Sequence, residues 1–137
     1  MKHKKRILRN QEGFTLVEII SVLVILGILA VVAIPKYMDI TDDARKKAAV
    51  GQIAEVKGRL SVALSKFMLK NNGTTPLTGQ ALLDGLTAPL DCATTATTEG
   101  DFEFKCTPGS GKTVTVEVSK VQNVSITPAQ SDVFTWQ

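Results

Sequence analysis

The segment GFTLVEIISVLVILGILAVVAIP, residues 13–35, decides how this chain can fold. From Phe14 to Ile34 the side chains are almost all apolar, and the exceptions are Thr15, Glu18, Ser21 and Gly27. A run of about 21 such residues is long enough to cross the roughly 30 Å hydrocarbon core of a bilayer as an α-helix. A secretory signal peptide has a shorter apolar region and a small-x-small cleavage site, whereas here a helical pattern continues beyond Pro35. The segment therefore predicts a membrane-spanning helix, and a signal peptide and a plain signal-anchor are the alternatives.

Positive charge is concentrated before this segment. Only Glu12 opposes the basic residues there, which are Lys2, Lys4, Lys5, Arg6 and Arg9. Because basic residues flank the cytoplasmic end of a span, the N-terminus is predicted inside the cell and the part after residue 35 outside. The sequence pI of 9.0 is mostly a property of this basic segment, and a nucleic-acid surface would instead need a basic patch on the folded part.

A second helical pattern follows the apolar segment. Between Asp39 and about Lys70, apolar residues recur three or four positions apart, at Ala49, Ile53, Val56, Leu60, Ala63 and Phe67. This spacing marks one face of an amphipathic α-helix, and we expect that face to pack against a sheet. Gly27 and Pro35 lower helix stability, so we expect a long, curved helix that is weakest between them. Asn71-Asn72-Gly73 is predicted to end the helix, because these residues tolerate a left-handed backbone.

Strand patterns appear in the C-terminal part. Apolar and polar residues alternate at 102–106 and 114–118, on either side of the turn Pro108-Gly109-Ser110-Gly111. Such alternation predicts an antiparallel hairpin with one apolar face. The other predicted elements are a short helix at Gln80–Leu86, a polar loop at Thr94–Thr98, and one or two strands at Val121–Thr127 and Val133–Trp136. The predicted fold class is α+β: a long N-terminal helix, half transmembrane and half amphipathic, packed on a small C-terminal antiparallel sheet.

Two cysteines, Cys92 and Cys106, lie near each other in the C-terminal part. An even pair in a small domain outside the cytoplasm fits a disulfide. Closing a loop of this length stabilises the fold by roughly 3 kcal/mol on the chain-entropy model. The alternative is two unpaired, buried thiols. Because the charge bias places this part of the chain outside, we predict the disulfide.

The combination of Gly13, Phe14, Glu18 and Pro35 around an apolar run resembles the N-terminus of the type IV pilin superfamily, which includes the pseudopilins of type II secretion. The resemblance is close over residues 1–40, continues as a pattern to Gly73, and covers the rest only as architecture. It implies a pilin fold with a removable basic leader at 1–13, a transmembrane and assembly helix at 14–35, an amphipathic helix at 36–70 and a head at 71–137. It also implies that a prepilin peptidase cuts between Gly13 and Phe14 and then methylates the new amine of Phe14.

Glu18 requires an explanation even without the resemblance. A carboxylate inside an apolar span costs about 2.5–3.5 kcal/mol on insertion scales. After cleavage, the α-amine of Phe14 on a neighbouring subunit is a cation that can neutralise Glu18 and set the axial register, and the resemblance implies this role. Pairing with the amine of the same chain, or a tolerated polar residue near the membrane edge, are the alternatives. The resemblance further implies that the helix between Gly27 and Pro35 loses helicity on assembly.

The sequence indicates no catalytic residue, cofactor or metal site. The only histidine is His3, in the leader, so the cut chain has no histidine base. Gly109-Ser110-Gly111-Lys112-Thr113 resembles a phosphate-binding loop, but the first glycine of that motif is missing and a strand pattern follows. Asp39, Asp42 and Asp43 lack the spacing of a calcium loop and are interpreted as a solvated helix start, where acids favour the helix dipole.

The sequence therefore predicts a structural, non-enzymatic filament subunit. The first hypothesis is a type IV pilin for adhesion, motility or DNA uptake, the second is a pseudopilin of type II secretion, and the third is an unpolymerised membrane-anchored binding protein. The implied partners are identical subunits, a prepilin peptidase, an inner-membrane platform protein and an assembly ATPase, while nucleic-acid binding is left open. We expect the precursor in a bacterial inner membrane with its head outside, and the assembled form in an extracellular pilus or a periplasm-spanning filament.

Overall fold

The computed structural model describes residues 13–86 and 92–137, so most of the predicted leader lies outside the described residues. The chain divides into two compact units, one that ends at Asp39 and one that runs from Ile40 to Gln137. In chain order the elements are α1 (Leu16–Lys70), α2 (Gly79–Asp84), β1 (Thr97–Glu99), β2 (Phe102–Pro108), β3 (Thr113–Val121) and β4 (Val124–Thr135). This order, with a four-stranded antiparallel sheet, confirms the predicted α+β class.

The unit that ends at Asp39 consists of the apolar part of α1. The helix begins at Leu16 and is unbroken at Pro35, although this proline has no N–H to donate to the preceding turn. Its most apolar 18-residue window has a mean hydropathy of 3.0, and none of that window is buried. Among the described residues, α1 is the helix that is long and apolar enough to cross a membrane.

The second unit has its core between α1 and one face of the sheet. The helix buries residues at the predicted three- and four-residue spacing, namely Ala49, Ile53, Val56, Leu60 and Ala63. Successive side chains of a strand point to opposite faces, so the strands contribute alternate residues to the core, namely Phe104, Cys106, Val114, Val116 and Val118. Burying a large apolar side chain stabilises a fold by about 1.5–3 kcal/mol. The predicted packing of an amphipathic helix on a sheet is confirmed.

The sheet is an antiparallel meander in the order β1-β2-β3-β4. Strands β2 and β3 form the predicted hairpin, with Cys106 opposite Val116. The strands predicted at Val121–Thr127 and Val133–Trp136 are largely parts of one strand, β4, which pairs along β3. Strand β3 itself continues to Val121, so the hairpin that joins it to β4 is tight.

The prediction of a loop at Thr94–Thr98 is wrong for its last two residues. Thr97 pairs with Phe104 and Thr98 with Glu103, which makes them part of the edge strand β1. Threonine is favoured in strands because its branched side chain fits a pleated surface. The polar composition of this stretch therefore did not prevent strand pairing at the edge of the sheet.

The interpretation of Asp39, Asp42 and Asp43 as a helix start is also wrong, because all three lie inside α1. A single proline removes one backbone hydrogen bond, and the residues on both sides of Pro35 continue the helix. Asp42 accepts a hydrogen bond from Arg45 at 3.0 Å, as expected for residues three apart on a helix surface. These acids are therefore surface residues within a continuous helix.

The end of α1 is formed by the residues that the sequence predicts. Asn72 and Gly73 have φ values of 51° and 84°, in the left-handed region. The N–H of Gly73 donates to the carbonyl oxygen of Met68 at 2.8 Å, which satisfies a carbonyl that the helix itself leaves free.

Helix α2 begins at Gly79, one residue before the predicted Gln80–Leu86 helix, and ends two residues earlier. Thr78 caps it by accepting a hydrogen bond from the N–H of Ala81. A Cβ atom on Gly79 would lie 2.1 Å from the carbonyl oxygen of Thr113. Only glycine therefore lets α2 approach the start of β3 this closely.

Cys92 and Cys106 form a disulfide, with their Cα atoms 5.5 Å apart. Cys106 is fully buried in β2, and its N–H donates to the carbonyl oxygen of Ala93 at 2.9 Å. The segment that leads into β1 is therefore fixed to β2 by one covalent bond and one hydrogen bond.

Candidate functional site

The start of α1 holds Glu18 in a reciprocal hydrogen-bonded arrangement with Thr15. Glu18 Oε2 accepts hydrogen bonds from the N–H and the hydroxyl of Thr15, both at 3.2 Å. In return, the N–H of Glu18 donates to Thr15 Oγ1 at 3.2 Å. Because α1 begins at Leu16, Thr15 occupies the N-cap position and Glu18 the third helical position, which is the geometry of a capping box.

Thr15 is the residue of this site that the sequence analysis missed. The signal for it is present in the sequence, because a threonine followed three residues later by glutamate before an apolar run marks a capping box. The structure adds that Glu18 Oε1 accepts no hydrogen bond within residues 13–86 and 92–137. One oxygen of the carboxylate is thus used by its own helix and the other is available.

The third polar side chain of the apolar segment is also satisfied within the helix. Ser21 Oγ donates to the carbonyl oxygen of Val17, one turn earlier, at 2.7 Å. Polar groups without partners are costly in hydrocarbon, so local pairing of Thr15, Glu18 and Ser21 suits a segment that lies in lipid. Among these polar side-chain atoms, Glu18 Oε1 is left without a hydrogen bond from the described residues.

Gly13 and Phe14 precede the first helical residue, Leu16. Phe14 is 81% exposed, and among the described residues no other group lies within 4 Å of the position that a Cβ on Gly13 would occupy. The peptide bond between these two residues is therefore outside the helix and accessible. Cleavage at this bond stays a prediction.

Gly27 and Pro35 lie inside α1, away from Glu18 and Thr15. No atom of the described residues lies within 4 Å of the position of a Cβ on Gly27, so packing among those residues does not require a glycine there. The proposed loss of helicity between these two residues stays a prediction, because the structure shows one helical state of this segment.

The apolar segment is exposed along its whole length. Every residue from Leu16 to Ile34 is exposed, and side chains as large as those of Val31 and Val32 are 75% and 73% exposed. Contiguous apolar patches of more than a few hundred Å² are rare on soluble monomers and mark membrane or protein contacts. Within the described residues nothing buries this part of α1, which is the exposure expected of a surface that contacts a membrane or another protein.

Ion pairs fasten α1 to both edges of the sheet. The guanidinium of Arg59 binds Glu55 and, through two nitrogens, both carboxylate oxygens of Glu99 in β1. Hydrogen bonds from Arg59 hold the pKa of Glu99 below its ordinary value of 4.5. At the other edge, Lys57 lies 2.6 Å from Asp132 in β4, and this contact lowers the pKa of Asp132. These contacts orient the helix on the sheet and do not form a catalytic group.

Comparison with known proteins gives the N-terminal segment a family. Residues 8–34 match the family model of the prokaryotic N-terminal methylation motif. The chain is 38% identical over 74 residues to fimbrial protein Q of Moraxella bovis, an alignment that covers 54% of this chain and 43% of that protein. No solved structure gives a significant match.

Two further relatives come from different systems. The chain is 43% identical over 63 residues to type II secretion system core protein G of Pseudomonas aeruginosa, which covers 46% of this chain and 42% of that protein. It is 38% identical over 52 residues to type IV narrow pilus major component PilA5 of Thermus thermophilus, which covers 38% of this chain and 45% of that protein. The aligned part thus spans a little under half the length of each of these relatives.

The described residues thus combine an exposed apolar helix that carries a methylation motif with a small antiparallel sheet. The motif, the named relatives and the fold together make this chain similar to proteins of the type IV pilin-like family. This is a family of structural subunits.

Proposed function

We propose that this chain is the structural subunit of a type IV pilus that serves adhesion, motility or DNA uptake. In this proposal the chain is cut after Gly13 and polymerises through its N-terminal helix. The observation that carries the proposal is the exposed apolar run from Leu16 to Ile34. Its area is too large to remain in water, so lipid covers it in the precursor and other copies cover it in the filament.

In this proposal, Glu18 determines the axial register in which two copies assemble. Its Oε2 is held by Thr15, while Oε1 accepts no hydrogen bond within the described part of the chain. We propose that Oε1 accepts a hydrogen bond from the N-methylated, positively charged amine of Phe14 on a neighbouring copy. An uncompensated charge in an apolar layer costs about 2.5–3.5 kcal/mol, so one axial stagger of two copies is favoured over the others.

The partners in this proposal are identical subunits, a prepilin peptidase, an inner-membrane platform protein and an assembly ATPase. The methylation motif at residues 8–34 supports processing by such a peptidase. The precursor would lie in the bacterial inner membrane with its N-terminus in the cytoplasm, and its head would lie outside, where the Cys92–Cys106 disulfide is stable.

A pseudopilin of a type II secretion system is the second candidate. The relative from Pseudomonas aeruginosa that bears the name of a secretion core protein is 43% identical over its aligned part and favours this alternative. Both candidates share the cut after Gly13 and the filament, and they differ in where the filament lies. Deleting the gene in the native host separates them, because a pilin deletion removes surface fibres, whereas a pseudopilin deletion stops protein secretion.

Mass spectrometry of fibres sheared from the native host tests the processing step. The expected result is a terminal peptide that begins at N-methylated Phe14. Intact chains that begin at Met1 and are found only in the membrane fraction would refute the proposal.

Replacement of Glu18 by alanine tests the assembly step. Fibres are expected to be lost, while the precursor still inserts in the membrane. Ser21→Ala is the matched control, because within residues 13–86 and 92–137 the hydroxyl of Ser21 donates a hydrogen bond only to the carbonyl oxygen of Val17 in its own helix. If Glu18→Ala and Ser21→Ala both leave the fibres intact, Glu18 does not direct assembly. A wild-type chain that forms no fibres in its native host would instead favour an unpolymerised anchored protein.

A further inference from the structure

The charged residues on α1 near the head fall into two groups. Some are paired within the chain, namely Asp42 with Arg45, Glu55 with Arg59, and Lys57 with Asp132. Others have no ion pair or side-chain hydrogen bond within residues 13–86 and 92–137, and they are Asp39, Asp43, Lys46, Lys47, Lys66 and Lys70. Of these, all but Lys46 are also exposed.

Four of these exposed, unpaired residues form two sets with the same spacing along the helix. Asp39 and Asp43 are four residues apart, as are Lys66 and Lys70, so each set lies along one face of the helix, a single turn apart. We call them the acid pair and the lysine pair. Each acid precedes its counterpart lysine by 27 residues, which is about 40 Å of helix at 1.5 Å per residue.

The two sets lie on different faces of the helix. A separation of 27 residues is about seven and a half turns at 3.6 residues per turn, so Lys70 lies about half a turn around the helix from Asp43. The acid pair and the lysine pair therefore cannot meet within one straight helix. They can meet between two copies, each of which presents one face.

We propose that the acid pair of one copy contacts the lysine pair of a second, parallel copy, with Asp39 against Lys66 and Asp43 against Lys70. This inference rests on the proposed filament and identifies which surfaces of the head-proximal helix meet in it. Because both pairs have equal spacing, both contacts form together only when the copies are offset by about 40 Å along the helix. Complementary charges set register more than they add affinity.

The chemistry of the surrounding surface fits such a contact. Val62 and Leu69 lie within one turn of Lys66 and are 49% and 85% exposed, and Val50, two turns after Asp43, is 54% exposed. Exposed apolar side chains beside each charged pair would be covered when two copies meet. A contact that joins two different faces is heterologous, and repetition of it gives an open helical filament instead of a closed dimer.

Lys47 is the intramolecular competitor for Asp43. It lies one turn later on the same helix, a spacing at which an acid and a lysine attract each other. Neither residue has an ion pair in the part of the chain that the structure describes, so Asp43 is available to another copy.

Cysteine cross-linking measures the offset directly. The full chain with Asp43→Cys and Lys70→Cys is expressed with its assembly machinery, and the sheared fibres are oxidised. The expected result is a ladder of covalent multimers on a denaturing gel. The matched control is Asp43→Cys with Val62→Cys, which places an exposed cysteine eight residues before Lys70 and is expected to give no ladder.

The outcomes separate this inference from the proposed function. A ladder from the control pair alone, or fibres visible by electron microscopy without a ladder from either pair, overturns the offset while the filament stands. Absence of fibres from the wild-type chain under the same conditions would instead refute the proposed function.

Charge reversal tests the same contact without cysteines. Asp43→Lys and Lys70→Asp are each expected to lower the fibre yield about fivefold, the upper end for one exposed ion pair, and the double variant is expected to restore it. Asp43→Lys with Lys47→Asp is the control and is expected to stay low. Recovery only in that control would show that Asp43 pairs within its own chain, and unchanged yield in both single variants would also overturn the inference.

Discussion

Loss of the Cys92–Cys106 disulfide should cost the head a large part of its stability. The two residues are 14 positions apart, and on the chain-entropy model a closed loop of about 15 residues stabilises by about 3 kcal/mol. Alanine at both positions removes the link without placing a hydroxyl in the buried site. A change of 1 kcal/mol shifts the melting temperature of a domain of this size by about 4–8 °C, so the expected fall is about 12–24 °C.

Trp136 provides the signal for this measurement in the full-length chain in detergent micelles. It is the only tryptophan, it is buried, and its indole N–H donates to the carbonyl oxygen of Pro76 at 3.0 Å. Its fluorescence therefore reports on the folding of the head. Thr94→Ala, an exposed change beside the disulfide, is the control and should stay within about 0.5 kcal/mol of wild type. A fall of less than about 4 °C in the double-alanine variant would refute the loop-entropy reasoning, since it corresponds to only about 1 kcal/mol.

Three further perturbations test the capping, the core and the ion pairs. Thr15→Val removes the hydroxyl that accepts a hydrogen bond from the N–H of Glu18. Loss of this cap costs about 1 kcal/mol of helix stability, so hydrogen exchange of the Glu18 amide should become about fivefold faster. Thr15→Ser keeps the hydroxyl and should leave the exchange rate unchanged. Leu60→Ala in the core, where Leu60 is 1% exposed, should cost about 2–5 kcal/mol in denaturant unfolding, and an unchanged midpoint would contradict the described packing. Arg59 lowers the pKa of Glu99 in the folded state below its ordinary value of 4.5. The ion pair therefore stabilises the fold at pH values above 4.5, and this stabilisation is lost as the pH falls through the lower pKa of the folded state. Glu99→Gln should therefore flatten the acid side of the stability profile, and an equally steep profile in that variant would show that Arg59 does not stabilise the ionised form.

The sequence predicted the elements whose pattern follows from one repeating rule. The apolar stripe of α1 and the alternation around Val116 are periodic, so their helix and strand, and the faces that they bury, could be read directly. The end of α1 was also predictable, because Asn72 and Gly73 tolerate the left-handed backbone found there.

The features that the sequence did not predict depend on contacts between distant residues. Strand β1 exists because Thr97 and Thr98 pair with β2, and nothing in their polar composition indicates this partner. The bond between Arg59 and Glu99 joins residues 40 positions apart, and surface charges follow no period that would match one with the other. Thr15 is a different case, because a threonine three residues before Glu18 is a local capping pattern that the sequence alone can predict.

Alternate residues of β3 lie on opposite faces of the sheet, one packed in the core and the other facing outward. Val114, Val116 and Val118 face inward and are fully buried, while the residues between them, Thr115 and Glu117, lie on the other face of the sheet. A substitution on the outward row leaves the inward row in place, since a strand changes face at every residue. A substitution at Thr115 or Glu117 would therefore alter the outer face of the sheet, where Glu117 pairs with Lys105, and would leave the packing of the three valines in place.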